Sequence, residues 1–367
     1  MTGVSIGFAA TTETAVASRL SMLDRLLPVW IAAAMAAGLV LGRTVPRLGD
    51  ALSAVEVDGI SLPIAGGLLV MMYPVLAKVR YDRLGDVTGD RRLLLASLLL
   101  NWLVGPALMF ALAWLLLADL AEYRTGLIIV GLARCIAMVI IWNDLAGGDR
   151  EAAAVLVALN SVFQVLMFAV LGWFYLAVLP GWFGLPQTGI DTSMWQIAKS
   201  VLIFLGMPLL AGYVTRRIGE KIKGRSWYEN RLLPGLGPWA LYGLLFTIVI
   251  LFALQGHQII SRPWDVARIS VPLLAYFAIM WAGGYAVGFA LRLGYARTST
   301  LAFTAASNNF ELAIAVAIAT FGVTSGQALA GVVGPLIEVP CLVALVYVSL
   351  GLRRRLFRAT APSGAGH

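Results

Sequence analysis

The chain has 367 residues, 60% hydrophobic and 13% charged, with a mean hydropathy of +0.86. A soluble domain is nearer one-quarter charged, so the composition excludes an ordinary soluble protein and points to a polytopic membrane protein in a lipid bilayer. The net charge of +8 does not imply a nucleic-acid partner, because the basic residues sit in short segments between apolar runs and lack interleaved stacking aromatics beyond Trp227-Tyr228.

Residues 1–27 form a mixed polar leader with no cleavage signal after it. Ten apolar runs follow, at 28–46, 60–79, 93–117, 125–147, 152–180, 195–215, 236–256, 269–291, 298–321 and 327–352. Most have the length of a membrane-spanning helix, and the longer third and fifth fit a tilted span. The widest breaks, at 180–194 and 216–233, are too short for a soluble domain, so residues 28–352 are expected to form one ten-span transporter domain ahead of a tail at 353–367. Lysines and arginines divide twenty to five between alternating sides, with Arg134 and Lys199 inside spans. That asymmetry predicts a multi-pass protein with both termini cytoplasmic, and the expected location is the plasma (inner) membrane. Ten spans divide into sets of five, about 28–180 and 195–352. Because five is odd, the second set must enter from the opposite side, which is an inverted repeat.

Chemistry-bearing residues concentrate in corresponding spans of the two halves. The fourth span places Arg134 and Cys135 mid-membrane within Gly131-Leu132-Ala133-Arg134-Cys135-Ile136-Ala137-Met138. An ionisable group at that depth is expensive and is expected to face a cavity or a partner. A thiol beside a cation is the setting that activates it, and it suits a soft, thiol-seeking solute. The same span ends in Trp142-Asn143-Asp144, where the tryptophan is expected to mark the membrane interface. In the fifth span Asn160 and Gln164 are four apart on one face, and Asn160 is expected to line the cavity. In the ninth, Ser307, Asn308, Asn309 and Glu311 cannot all face lipid. An unwound turn lining a polar cavity would accommodate them, with Asn308 and Glu311 sharing a face if the turn stays helical. Glu338, between Pro335 and Pro340 in the tenth span, is expected at a kink. Two buried acids and one buried arginine supply a proton site, because solute binding that alters their pairing would drive proton uptake or release.

Structural readings compete with these. Asn and Ser also serve as interhelical glue, and Arg134 with an acid would make a static ion pair. Cys341 reads as core packing, and Gly283-Gly284-Tyr285 as helix-packing material. The two cysteines form no disulfide framework or metal-ligand spacing, and no phosphate loop or catalytic triad is present. No cofactor, metal or enzymatic activity is therefore expected.

These segments resemble the arsenite efflux permeases of the arsenical-resistance family, within the bile acid/arsenite/riboflavin transporter superfamily. The resemblance runs through Gly131 to Val139 with Trp142-Asn143, through Phe303 to Ala313, through Gly331 to Pro340, and through Met72 to Val79 in the second span. It implies an all-α fold of ten helices with core and panel domains, in which the fourth and ninth helices are broken and cross. It also implies export of arsenite, and in some members antimonite, in exchange for protons. The family's functional cysteine falls on Cys135, its arginine on Arg134 and its intramembrane acid on Glu311. Asn309, Asn160 and Glu338 coincide with further positions important there. The rival reading is a sodium-coupled importer of organic anions of the bile-acid type, with Asn308, Asn309 and Glu311 on sodium; such a carrier has no use for the Arg134-Cys135 pair.

Overall fold

The structure, a computed structural model, describes residues 26–45, 47–48, 51, 54–57, 60–79, 90–185 and 194–357. Nearly all of the expected leader and most of the expected tail lie outside these residues. The described elements are α1 (Leu27–Thr44), a two-residue antiparallel pairing of β1 (Glu56–Val57) with β2 (Ile60–Ser61), and α2 (Leu62–Ala77). Then come α3 (Arg91–Leu116), α4 (Ala121–Leu132), α5 (Met138–Leu145), α6 (Arg150–Trp182), α7 (Trp195–Lys223) and α8 (Arg225–Ser261). The last are α9 (Pro263–Ala290), α10 (Gly294–Ala306), α11 (Phe310–Phe321) and α12 (Gly326–Leu356). Six of them, α3, α6, α7, α8, α9 and α12, are long and apolar enough to cross a membrane. This is a helical multi-pass membrane protein. Two chain segments instead arrive as half-length pairs, α4 with α5 and α10 with α11, separated by residues 133–137 and 307–309.

Prolines shape the long helices. Four π-helical turns, Leu100–Val104, Phe174–Val178, Leu202–Gly206 and Tyr228–Leu232, each run directly into an X-Pro pair, the first into Gly105-Pro106. Proline lacks an N–H and its ring pushes on the carbonyl four residues back. The widened turn absorbs this: the N–H of Gly105 reaches the Leu100 carbonyl, five back, and Leu179, Met207 and Leu233 repeat the pattern. Pro335 and Pro340 stand inside the continuous helix α12 without such a turn, so proline permits the widening without dictating it.

The expected break at 216–233 is instead an elbow one residue wide. Gly224, at φ +85°, is the only non-helical residue between α7 and α8, and glycine alone adopts that conformation freely. The basic residues there also pack. Arg216, 5% exposed, donates to the carbonyls of Lys78 and Val79 at 3.2 Å. It thereby satisfies carbonyls left without helical partners where α2 ends. Its guanidinium lies 5.2 Å from the Tyr228 ring, whose hydroxyl donates to the Ala77 carbonyl at 3.0 Å.

Helix α8 packs along α1 and α2, and α7 along α2. Small residues set the separation of α1 and α8: a Cβ at Gly38 would lie 2.6 Å from the Val249 carbonyl oxygen, and one at Gly42 would overlap the Ala253 carbonyl. That is the glycine spacing of close membrane-helix crossings. The remaining helices form a second group in which α9 lies against α10 and α12, and α4 against α3, α11 and α12. Ion pairs mark opposite ends of α3. Arg268 meets Asp119 at 2.7 Å beyond its C-terminus, and Arg297 meets Asp90 at 2.8 Å before its N-terminus.

Candidate functional site

The two breaks cross each other, and each satisfies the backbone of the other. Arg134 and Asn308 form an antiparallel bridge. The N–H of Asn309 donates to the Ala133 carbonyl at 3.0 Å, and the N–H of Cys135 to the Ser307 carbonyl at 3.4 Å. Non-helical backbone is tolerated at membrane depth only where protein or a wet cavity supplies such partners. Side chains lock the bridge. Asn308 Nδ2 donates to the Val130 carbonyl at 2.7 Å, and Asn309 Oδ1 accepts from the Leu312 N–H at 3.0 Å as the N-cap of α11. Asn308 and Glu311 therefore do not share a helix face, because the helix begins only at Phe310.

Each break is also held by one side chain thirty residues further on. The Arg134 N–H donates to Oε1 of Gln164 on α6, and the Asn308 N–H donates to Oε1 of Glu338 on α12 at 3.3 Å. Glu338 is 2% exposed and stands within continuous helix, not at a helix end.

Arg134 is fully buried. Its Nη1 donates to the Tyr276 hydroxyl at 2.7 Å, and its Nη2 to the Gly131 carbonyl. Gly105 makes the room, since a Cβ there would sit 2.8 Å from Nη1. Among the described residues Arg134 has no carboxylate partner, so the static ion pair is not formed. Cys135, the next residue in the extended break, holds the same bridge through its N–H. Cys135 is 4% exposed; Glu311 is partly buried in the first turn of α11.

Asn160 joins this assembly from α6, where its Oδ1 accepts from Trp102 Nε1 at 3.2 Å. Among the described residues, a set of buried polar atoms around the crossing has no hydrogen-bond partner: Arg134 Nε, Asn160 Nδ2, Gln164 Nε2, Ser307 Oγ, Asn308 Oδ1 and Asn309 Nδ2. Buried polar groups are almost always paired, so these atoms are open to water or to a polar solute. No cluster of three or more His, Cys, Asp or Glu that could hold a metal occurs among the described residues. A small, partly open recess lined by Ser61, Ile64, Phe204 and Ala315 lies between α2, α7 and α11, and the crossing residues are not part of its wall.

Trp142 is fully buried, not interfacial; its neighbour Asn143 accepts from Thr300 Oγ1 at 2.7 Å and ties α5 to α10. Cys341 is partly buried on α12. Of Gly283 and Gly284, only Gly284 makes a close helix approach, against Ala302. Sequence reasoning missed Gly105, Trp102 and Tyr276, whose types are ordinary in apolar helices. It noted Gln164 only as the neighbour of Asn160.

A bundle of apolar helices with two broken segments meeting among buried polar groups is an architecture that membrane carriers use. The family model for the sodium bile acid symporter family matches residues 65–262, more than half of the chain. Relatives narrow the class. The chain is 60% identical over 358 residues to the arsenical-resistance protein Acr3 of Corynebacterium glutamicum, covering 97% of each. It is 32% identical to the Acr3 protein of Alkaliphilus metalliredigens, over 90% of this chain and 93% of that one. An uncharacterised transporter of Synechocystis is 34% identical over 90% of this chain and 88% of its own length. The chain belongs to the arsenical-resistance protein family of this transporter group.

Proposed function

We propose that this protein exports trivalent arsenic, as arsenite and antimonite, from the cytoplasm in exchange for protons. The observation that carries the proposal is the crossing itself. It gathers a buried thiol, a carboxyl group that holds the second break and another in the helical turn after it, and unpartnered hydrogen-bonding atoms from both breaks. Arsenous acid is a neutral molecule with a soft central atom and three hydroxyl groups, and each part has a counterpart here. Cys135 binds arsenic by displacing one hydroxyl group, which leaves with the thiol proton as water; release reverses the step. A single sulfur is an exchangeable ligand, and a carrier must release what it binds. Arg134, Asn160, Asn308 and Asn309 bind and orient the oxygen atoms. Glu311 and Glu338 take up and give back protons as the site fills and empties, and by linkage the proton and the solute each alter the other's binding.

On this reading the chain crosses the plasma membrane ten times with both termini cytoplasmic, α4–α5 and α10–α11 each counting as one broken crossing. The twenty-to-five distribution of basic residues supports the orientation. The two side-chain clamps, each thirty residues past its break, support an inverted repeat. The packing of α8 along α1 and α2, and of α7 along α2, supports a panel, which meets the core where α7 lies on α6 and α11. The test is arsenite uptake into everted membrane vesicles under imposed gradients. Accumulation should follow a pH gradient and ignore a sodium gradient. Sodium-driven uptake of an organic anion without arsenite transport would instead make the protein an importer of the bile-acid-symporter kind.

A further inference from the structure

Gln164 does two things at once. Its Oε1 accepts the Arg134 N–H, which fixes the identity of the two amide atoms and leaves Nε2 as the free end. The residue is fully buried, and Nε2 has no partner among the described residues. One turn earlier on the same face of α6, Asn160 is in the same condition: Trp102 occupies its oxygen and its Nδ2 is free. Arg134 Nε is the third free donor. With Asn309 Nδ2 from the other break, four buried donors of the crossing lack an acceptor, and an unmade buried hydrogen bond costs more than a made one contributes.

The second half shows that the clamp alone does not require an amide. Glu338 holds the Asn308 N–H with a carboxyl oxygen from the corresponding place. Glutamine at 164 adds one thing to that role, an N–H2 group. We infer that Gln164 is a substrate-recognition residue whose Nε2, with Asn160 Nδ2 and Arg134 Nε, donates to the hydroxyl oxygens of the solute whose central atom Cys135 holds. The inference rests on the proposed arsenite transport and adds a residue and a role to it.

Gln164→Glu keeps the acceptor for Arg134 and, as the ionised carboxylate, removes the donor. Gln164→Met is close in size, uncharged, and removes both. Measured as arsenite transport in vesicles, Gln164→Glu should raise KM about tenfold with kcat kept within about twofold, as expected for loss of one ground-state hydrogen bond. Gln164→Met should raise KM at least as much and also lower the melting temperature of the purified protein. Arsenite protection of Cys135 against alkylation, measured on the purified variants in a Cys341→Ser background, gives the same ranking without relying on transport. A folded variant of either kind with wild-type KM and wild-type protection overturns the inference, and so does failure of both variants to fold, since the role would then be structural. If the wild-type protein itself neither transports arsenite nor is protected by it, the proposed function falls instead.

Discussion

The two breaks share one backbone plan and carry opposite chemistry. At 133–137 the chain presents a guanidinium and a thiol, and the clamp is the neutral amide of Gln164. At 307–309 it presents two carboxamides, Glu311 follows in the next turn, and the clamp is the acid Glu338. The shared part is what the bilayer demands, because broken helices leave N–H and C=O groups that only the other break and an acceptor on a neighbouring helix can satisfy. Once that demand is met by backbone atoms, the side chains are free to diverge. In the proposed mechanism both breaks give donors to the solute, the first adds the sulfur, and the second, with its clamp, adds the carboxyl groups that exchange protons.

Six substitutions at five positions break or sharpen that contrast. Glu311→Gln removes the titrating group from the second break while keeping its size, so it should abolish pH-driven arsenite accumulation with folded yield near normal in detergent extracts. Normal accumulation would remove the proton from this half. Cys135→Ser replaces a soft ligand by a hard one and should lower kcat/KM for arsenite by roughly 100-fold or more, whereas Cys341→Ser should stay within about twofold. Equal losses in the two variants would erase the chemical distinction of the first break.

Glu338 separates clamp from charge. Glu338→Gln retains an oxygen for the Asn308 N–H and should melt like the wild type. Glu338→Leu leaves that N–H unpaired and should cost about 1–3 kcal/mol in thermal melts. The smallest effect lies at the end of α3, away from both breaks. Hydrogen bonds from Arg268 hold the Asp119 carboxyl below its usual range. A lowered folded value means that the pair's stabilisation is fully present above the ordinary carboxylate value, about 3.9, and is lost as pH falls through the lower folded one. Arg268→Gln should therefore melt slightly below the wild type at neutral pH, converge with it in acid, and leave arsenite transport unchanged.

Much of the site was legible because polar residues inside apolar runs have few places to go. Arg134-Cys135 and Ser307-Asn308-Asn309 are the segments where the helices break. The direction of each side chain was not legible. Arg134 turns to Tyr276 and Gly131, partners that nothing in an apolar run announces. The clamps were hidden for another reason: a hydrogen bond to a residue thirty positions away leaves no periodic trace. Gly224 was obscured by its surroundings, since a run of Lys and Arg reads as a solvated loop until Arg216 is seen capping α2.

The most direct test of the central claim, that arsenic is carried at the crossing by a single sulfur, is X-ray absorption at the arsenic edge. Purified Cys341→Ser protein loaded with arsenite retains Cys135 as its one thiol. The expected first shell is one sulfur and two oxygens. A shell of oxygens alone, in protein that still transports arsenite, would contradict the account.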